Sequence, residues 1–168
     1  MDFGSLARDG DQVELRYELT FERPVETLWA ALTEPARLDD WMSPALVEPF
    51  VGGRYVLFTD REPHDQMQGR ILAWDPPRLL EYSWFESGTV KGKVRAELYA
   101  HGTGGSRLVF IHAGMPERYA DSMAPGWHVF MDRLAAAVDR EPIAFERDAY
   151  RALKLRYAER YGFQLPVG

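Results

Sequence analysis

The chain has 168 residues and a mass of 19.3 kDa, which is the size of a single domain. It contains no cysteine, and this excludes disulfide frameworks, thiolate zinc sites, iron–sulfur clusters and cysteine nucleophiles. Twenty Lys and Arg against 26 Asp and Glu give a net charge of −6, which disfavours non-specific binding to nucleic acid and to anionic membranes.

Aromatic residues are abundant, with nine Phe, eight Tyr and five Trp. Rings in such number indicate either a bulky core or a cavity that they line. Residues 1–12 are polar and predict a loose N-terminal arm rather than a signal peptide. No apolar run approaches the roughly 18 residues of a membrane helix, so we expect a soluble, cytoplasmic protein.

The first part of the chain alternates in a way that is typical of strands. Period-2 alternation predicts a strand over residues 13–21. Pro24 suits the start of a helix, and apolar residues at helical spacing predict one over 25–32. A second short helix is expected over 35–40, just before Trp41. An antiparallel meander should follow, with strands over 45–49, 54–59, 66–74, 79–86, 91–100 and 107–112 and a polar loop at 60–65.

The C-terminal part of the sequence is helical. After an irregular entry at 115–125, apolar residues at helical spacing predict a long helix over 126–138. Pro142 separates it from a second helical stretch, which begins at Ala144 and ends at Gly162. Because an antiparallel sheet must cover its apolar face, the long helix is the expected cover.

A series of short motifs occurs in a fixed order along the chain. They are FERPVETLWAALTEP at 21–35, Trp41, VGGR at 51–54, GRIL at 69–72, DPP at 75–77, Leu80 with Ser83 and Trp84, LVFIHAG at 108–114 after Gly104, and Gly126-Trp127 with Leu134. The series resembles the Hsp90 ATPase activator homologue (AHSA1-like) branch of the START-like superfamily, over residues 13–140.

The resemblance implies the helix-grip fold, an α+β fold in which a strongly curved antiparallel sheet of about seven strands wraps around a long C-terminal helix. A cavity between sheet and helix often takes an apolar ligand in this superfamily, and the branch has no shared catalytic set. Residues 13–140 should form the START-like domain. Residues 141–168 lie outside the resemblance and predict an extra helical extension, packed on the domain or on a partner subunit.

Alternation along the strands identifies the inward faces of the sheet, and these faces with the long helix predict a cavity lining. The candidate lining residues are Trp41, Ile71, Tyr82, Trp84, Ala96, Leu98, Phe110, His112, Trp127, Phe130, Met131 and Leu134. The alternative is a filled core, in which Phe130, Met131 and Leu134 occupy the space. The methionines at 42, 67, 115, 123 and 131 could be adaptable lining or simple gap-fillers.

His112 is the most suggestive single residue, because it is expected on the inward face near the end of the last strand. It could contact a ligand or shuttle a proton, or it could be a core histidine bonded to a backbone carbonyl. No HxH or HExxH spacing relates the four histidines, so no metal site is predicted, nor any cofactor. A GxSxG motif is absent, and we assign no catalytic residue.

The second C-terminal helix carries a stripe of Tyr150, Leu153, Tyr157 and Tyr161. Tyrosines in such a stripe are typical of an interface that is not fully dry. The helix could dock on the outer face of its own sheet, which the last strand makes apolar through Val109. It could instead exchange with a second protomer and form a homodimer.

Three functional hypotheses follow. The first is non-enzymatic binding of a small apolar or aromatic ligand between the sheet and the long helix. The second, which the family resemblance implies, is a co-chaperone-like partner of an Hsp90-type ATPase. The third is an enzyme of the polyketide cyclase or aromatase type, with His112 and Tyr82 as the acting groups.

Overall fold

The computed structural model describes residues 2–58 and 66–165, so the predicted polar loop at 60–65 lies outside the described residues. The strands are β1 (Ser5–Asp9), β2 (Gln12–Phe21), β3 (Ala45–Val47), β4 (Arg54–Leu57), β5 (Met67–Asp75), β6 (Leu79–Glu86), β7 (Thr89–His101) and β8 (Gly105–Pro116). They form one antiparallel sheet in the order β1-β2-β8-β7-β6-β5-β4-β3.

The helices are α1 (Val25–Thr33), α2 (Pro35–Leu38), α3 (Ala120–Val138) and α4 (Arg147–Tyr161), and a 3-10 turn at Glu117–Tyr119 leads into α3. The α+β helix-grip fold is therefore confirmed, with eight strands among the described residues rather than about seven. No helix in the described part of the chain is long and apolar enough to span a membrane.

The sheet curves because several strands carry bulges. The pairing register shifts between Val13 and Leu15 in β2, and again within β5 and within β6. Each bulge bends its strand and increases its twist. In β7, Gly92 has φ +80°, and a Cβ atom there would lie 2.0 Å from the Ala113 carbonyl oxygen, so the close approach of β7 to β8 requires glycine.

The predicted loose arm at residues 1–12 is wrong. Ser5–Asp9 pairs antiparallel with the first half of β2, and Gly10, at φ +61°, makes the turn between the two strands. The apolar pattern of β1 is weak because Leu6 alone is half-buried and the rest of the strand is exposed. The Gly10-Asp11 pair is a hairpin-turn signal that could have indicated this strand.

The irregular entry predicted at 115–125 is also wrong, because β8 continues to Pro116 and α3 begins at Ala120. Pro125 lies inside the helix, where proline removes one N–H donor and is normally unfavourable. Two contacts offset this cost. Ala120, Ala124 and Pro125 are buried, and the Tyr17 hydroxyl donates to the Ala124 carbonyl oxygen at 2.7 Å.

The outer face of β8 is covered by long charged side chains of its neighbours. Val109 is 2% exposed and lies between Glu18 of β2 and Glu97 of β7. These carboxylates pair along their own strands, with Arg16 at 2.8 Å and Arg95 at 2.6 Å. Because such side chains lay their methylene groups over an apolar surface, the outer face of the sheet is shielded without a helix.

The helix α4 packs against α3 and the N-terminal segment of the same chain. The Gly4 backbone N–H donates to the Tyr157 hydroxyl at 3.1 Å, and the Tyr157 hydroxyl and the His128 Nδ1 atom are 3.0 Å apart. Its contacts therefore differ from the predicted docking on the outer face of the sheet. Gly162, at φ +73°, ends the helix as expected.

Candidate functional site

A cleft of about 1000 Å³ opens between one end of the sheet and α3. One wall comes from the adjacent ends of β4, β5, β6 and β7, and α3 forms the opposite wall. The segment that follows α2 closes one side, and Phe145 with the first turns of α4 lies at the other. A volume of this order is at the upper end of the range for small-molecule sites.

Aromatic rings from both layers form the apolar part of the cleft. Trp84 of β6 and Trp127 of α3 meet edge to face, with 5.2 Å between ring centroids. Phe130, one helical turn further along α3, lies 6.1 Å from Trp127 and 6.1 Å from Phe145. The remaining apolar lining includes Met42, Leu57, Met67 and Met123.

Gly126 creates a gap in the α3 wall. The cleft-facing stripe of α3 consists of Ser122, Met123, Gly126, Trp127, Phe130 and Arg133. A Cβ atom at Gly126 would lie 4.0 Å from the Tyr150 ring, which is ordinary van der Waals contact. A methyl group would therefore fit at this position, whereas a longer side chain would project into the cleft.

Lys91 and Glu86 form an ion pair in the cleft wall, with 2.9 Å between the Nζ and Oε2 atoms. The Lys91 side chain is 11% exposed, and its ammonium group also lies 4.4 Å from the centroid of the Tyr119 ring. Each charge of this pair is therefore largely neutralised within the protein.

Three arginines line the cleft on the side of α3 and α4. Arg133 donates its Nε–H to the Ile143 carbonyl oxygen at 2.9 Å, and burial lowers the pKa of its guanidinium group. Arg147 and Arg151 are one helical turn apart on α4 and both line the cleft. Arg151 lies 3.5 Å from Asp148 in an exposed pair.

His112 is fully buried, and both its nitrogen atoms are hydrogen-bonded inside the protein. The Trp127 Nε1–H donates to the His112 Nδ1 atom at 2.9 Å, so Nδ1 is an acceptor. The proton of the neutral ring is then on Nε2, which donates to the Lys91 carbonyl oxygen at 2.6 Å. Burial lowers the pKa of His112 to about 4, so the ring is neutral at pH 7.

Of the twelve predicted lining residues, Trp84, Trp127 and Phe130 line this cleft. The other nine lie in the core and do not line the cleft, namely Trp41, Ile71, Tyr82, Ala96, Leu98, Phe110, His112, Met131 and Leu134. Trp84 and Trp127 are themselves only 7% and 2% exposed, so they belong both to the core and to the cleft wall. Tyr82 stacks on Tyr55 with 4.0 Å between ring centroids, which shows how large side chains fill the interior behind the cleft. Among the methionines, those at 42, 67 and 123 line the cleft, and those at 115 and 131 are in the core.

Sequence reasoning missed Lys91, Gly126, Phe145 and the three arginines. Gly126 gave no signal of a gap, because the predicted helix begins at this residue, and only the observed start at Ala120 places the glycine inside the helix. Phe145, Arg147 and Arg151 lie in the C-terminal extension, to which the family motifs do not reach. Over residues 2–58 and 66–165, no three His, Asp or Glu side chains are grouped so that they could hold a metal ion.

Known proteins share the family motifs or the fold of this chain. The family model described as activator of Hsp90 ATPase homolog 1-like protein matches residues 22–139. CalU16 from Micromonospora echinospora is 24% identical, with a TM-score of 0.75 over 93% of this chain and 95% of that chain. EF2215 from Enterococcus faecalis, a conserved protein of unknown function, is 18% identical, with a TM-score of 0.80 over 95% and 90%.

DynU16, a protein of the dynemicin biosynthetic locus, is 21% identical to the chain, with a TM-score of 0.63 over 80% of this chain and 49% of that chain. No curated protein matches the chain. At these identities, the structural similarities show a shared fold.

Proposed function

The chain belongs to the activator of Hsp90 ATPase homolog 1-like family, and we propose that it binds a small apolar or aromatic molecule in the cleft between the sheet and α3. The observation that carries this proposal is the wall formed by Trp84, Trp127 and Phe130 around about 1000 Å³ of space. Aromatic side chains offer large apolar contact area and favour stacked or edge-to-face contact with another ring.

The proposal is of binding without chemical conversion. His112 and Tyr82, the groups that a cyclase or aromatase would use, are buried behind the cleft, and the two His112 nitrogens are already bonded to Trp127 and to the Lys91 backbone. Burial also raises the pKa of the Tyr82 hydroxyl well above its usual value. Neither group lines the cleft, so neither is placed for proton transfer to a molecule bound there.

The shared fold with DynU16 gives further support. That protein comes from the biosynthetic locus of dynemicin, and its domain has the same arrangement of sheet and helix. By analogy of fold alone, a small organic molecule suits this cleft. A partner of the Hsp90 type and a homodimer through α4 stay predictions.

Gly126 allows a direct test of the proposed site. N-phenyl-1-naphthylamine, a neutral aromatic probe, becomes fluorescent on entering an apolar site, and it would be titrated onto the protein and two variants. We expect Gly126→Ala to bind within twofold of the parent protein, and Gly126→Leu to bind at least tenfold more weakly because its side chain fills the cleft.

The alanine variant is the matched control, since both substitutions replace a helical glycine with a better helix former and should stabilise the fold by about 0.5–1 kcal/mol. Circular dichroism and thermal melting would verify that both variants are folded. If Gly126→Leu binds the probe as well as Gly126→Ala does, the cleft is not the binding site.

A further inference from the structure

The described side chains that line the cleft are mostly cationic where they are charged, although the protein as a whole is acidic. The chain has a net charge of −6. Among the described residues, those that line the cleft include four cationic ones, Lys91, Arg133, Arg147 and Arg151, and two acidic ones, Asp39 and Glu86. Lys91 and Glu86 pair with each other at 2.9 Å, which leaves three arginines and one carboxylate, Asp39. The excess positive charge therefore lies on the side formed by α3 and α4.

The described part of the protein does little to neutralise these arginines. Among the described residues, the Arg147 side chain forms neither a hydrogen bond nor an ion pair. Arg133 is half-buried and is bonded through Nε to a carbonyl oxygen, and the more distant Asp39 opposes the effect of burial on its pKa. Arg151 has Asp148 at 3.5 Å, but both side chains are at least 76% exposed, so this pair is weak.

We infer that the ligand of the cleft is an anion, an apolar or aromatic molecule with an acidic group that is held by Arg147 with Arg133. The inference rests on the proposed function and names the class of molecule. The apolar part lies against Trp84, Trp127 and Phe130. The acidic group then points to the side of α4.

Three physical reasons favour this orientation. Guanidinium groups bind carboxylate and sulfonate oxygens through paired N–H donors, and these charge-assisted hydrogen bonds are among the strongest in proteins. A half-buried cation is unfavourable when no carboxylate of the described residues lies within ion-pair distance, and an anionic ligand reduces that cost at Arg133. Arg147 is also the first residue of α4, where the helix dipole adds a small positive potential.

A matched pair of probes separates charge from apolar contact. The dye 1-anilinonaphthalene-8-sulfonate has the rings of N-phenyl-1-naphthylamine and adds one sulfonate group. We expect Arg147→Glu to weaken binding of the sulfonate at least tenfold and to change binding of the neutral probe less than twofold. Among the described residues the Arg147 side chain has no hydrogen-bond or ion-pair partner, so we expect the substitution to leave stability unchanged.

Arg78→Glu is the control for net charge. Arg78 lies in the β5–β6 turn, at the opposite end of this hairpin from Met67 and Glu86, and it pairs with Asp75. The same change of two charges there should alter binding of either probe less than twofold. Gly126→Leu should weaken binding of both probes, and this result would show that the sulfonate binds in the cleft.

The outcomes distinguish the inference from the proposal beneath it. If neither probe binds the parent protein, the proposed function fails and the inference fails with it. If the neutral probe binds in the cleft but Arg147→Glu weakens the sulfonate no more than Arg78→Glu does, the inference is overturned and the proposed function stands. Binding of the sulfonate that survives Gly126→Leu would also overturn the inference, because the dye would then lie elsewhere.

Discussion

The hydrogen bond between Trp127 and His112 joins α3 to β8 at the back of the cleft. It fixes His112 as a neutral acceptor at Nδ1, and it orients the indole ring that faces the cleft. Of the alternatives that the sequence left open for His112, the structure shows the core histidine bonded to a backbone carbonyl. The sequence could not decide between them, because the partners lie 15 and 21 residues away.

The buried His112 should make the protein less stable in mild acid. Its pKa is about 4 in the folded state and near 6.5 when unfolded, so between these values the unfolded chain binds a proton that the folded chain does not. The contribution of His112 to stability is therefore fully present above pH 7 and is lost as the pH falls toward 4. We expect His112 to account for a loss of about 2 kcal/mol in the free energy of unfolding between pH 7.5 and pH 5.

Urea denaturation at several pH values would measure this effect. His112→Gln should reduce the dependence on pH by about that amount. Val94→Ala is the control, because Val94 pairs with His112 across the sheet and is fully buried, so its loss destabilises the core without removing a titrating group. The account of His112 is wrong if the two variants keep the same pH dependence.

At the level of elements, α4 holds the start of the chain in place. Its Tyr157 hydroxyl accepts from the Gly4 N–H, and the Tyr161 hydroxyl donates to the Gly4 carbonyl oxygen. Gly4 packs so closely on the Tyr17 ring that a Cβ atom would lie 2.3 Å from it. The stripe of tyrosines predicted an interface, but its partner is a segment more than 150 residues away, which no local pattern reveals.

Tyr157→Phe should therefore destabilise the protein by about 1–3 kcal/mol, because it leaves the buried Gly4 N–H and His128 without their common partner. Tyr99→Phe is the matched control. It removes the same oxygen from an exposed tyrosine that bonds Glu97, and its effect should stay within about 0.5 kcal/mol. Equal losses for the two variants in chemical denaturation would show that the Gly4 contact contributes nothing.

On the scale of the whole molecule, the sequence predicted the architecture better than the site. The alternation along β2 and β6 and the apolar stripe of α3 show which side chains point into the core. These patterns can be read from neighbouring residues in the sequence, so the elements could be predicted. A cleft depends on where the interior is left unfilled. The stack of Tyr55 on Tyr82 fills the interior behind the cleft, while Gly126 leaves space in the α3 wall, and both features arise from packing between distant elements.

The central claim is that an apolar or aromatic ligand binds between the sheet and α3. A crystal structure of the protein with N-phenyl-1-naphthylamine at saturating concentration tests it most directly. We predict electron density for the probe in contact with Trp84, Trp127 and Phe130. Density for the probe at another surface, with this cleft free of it, would contradict the account.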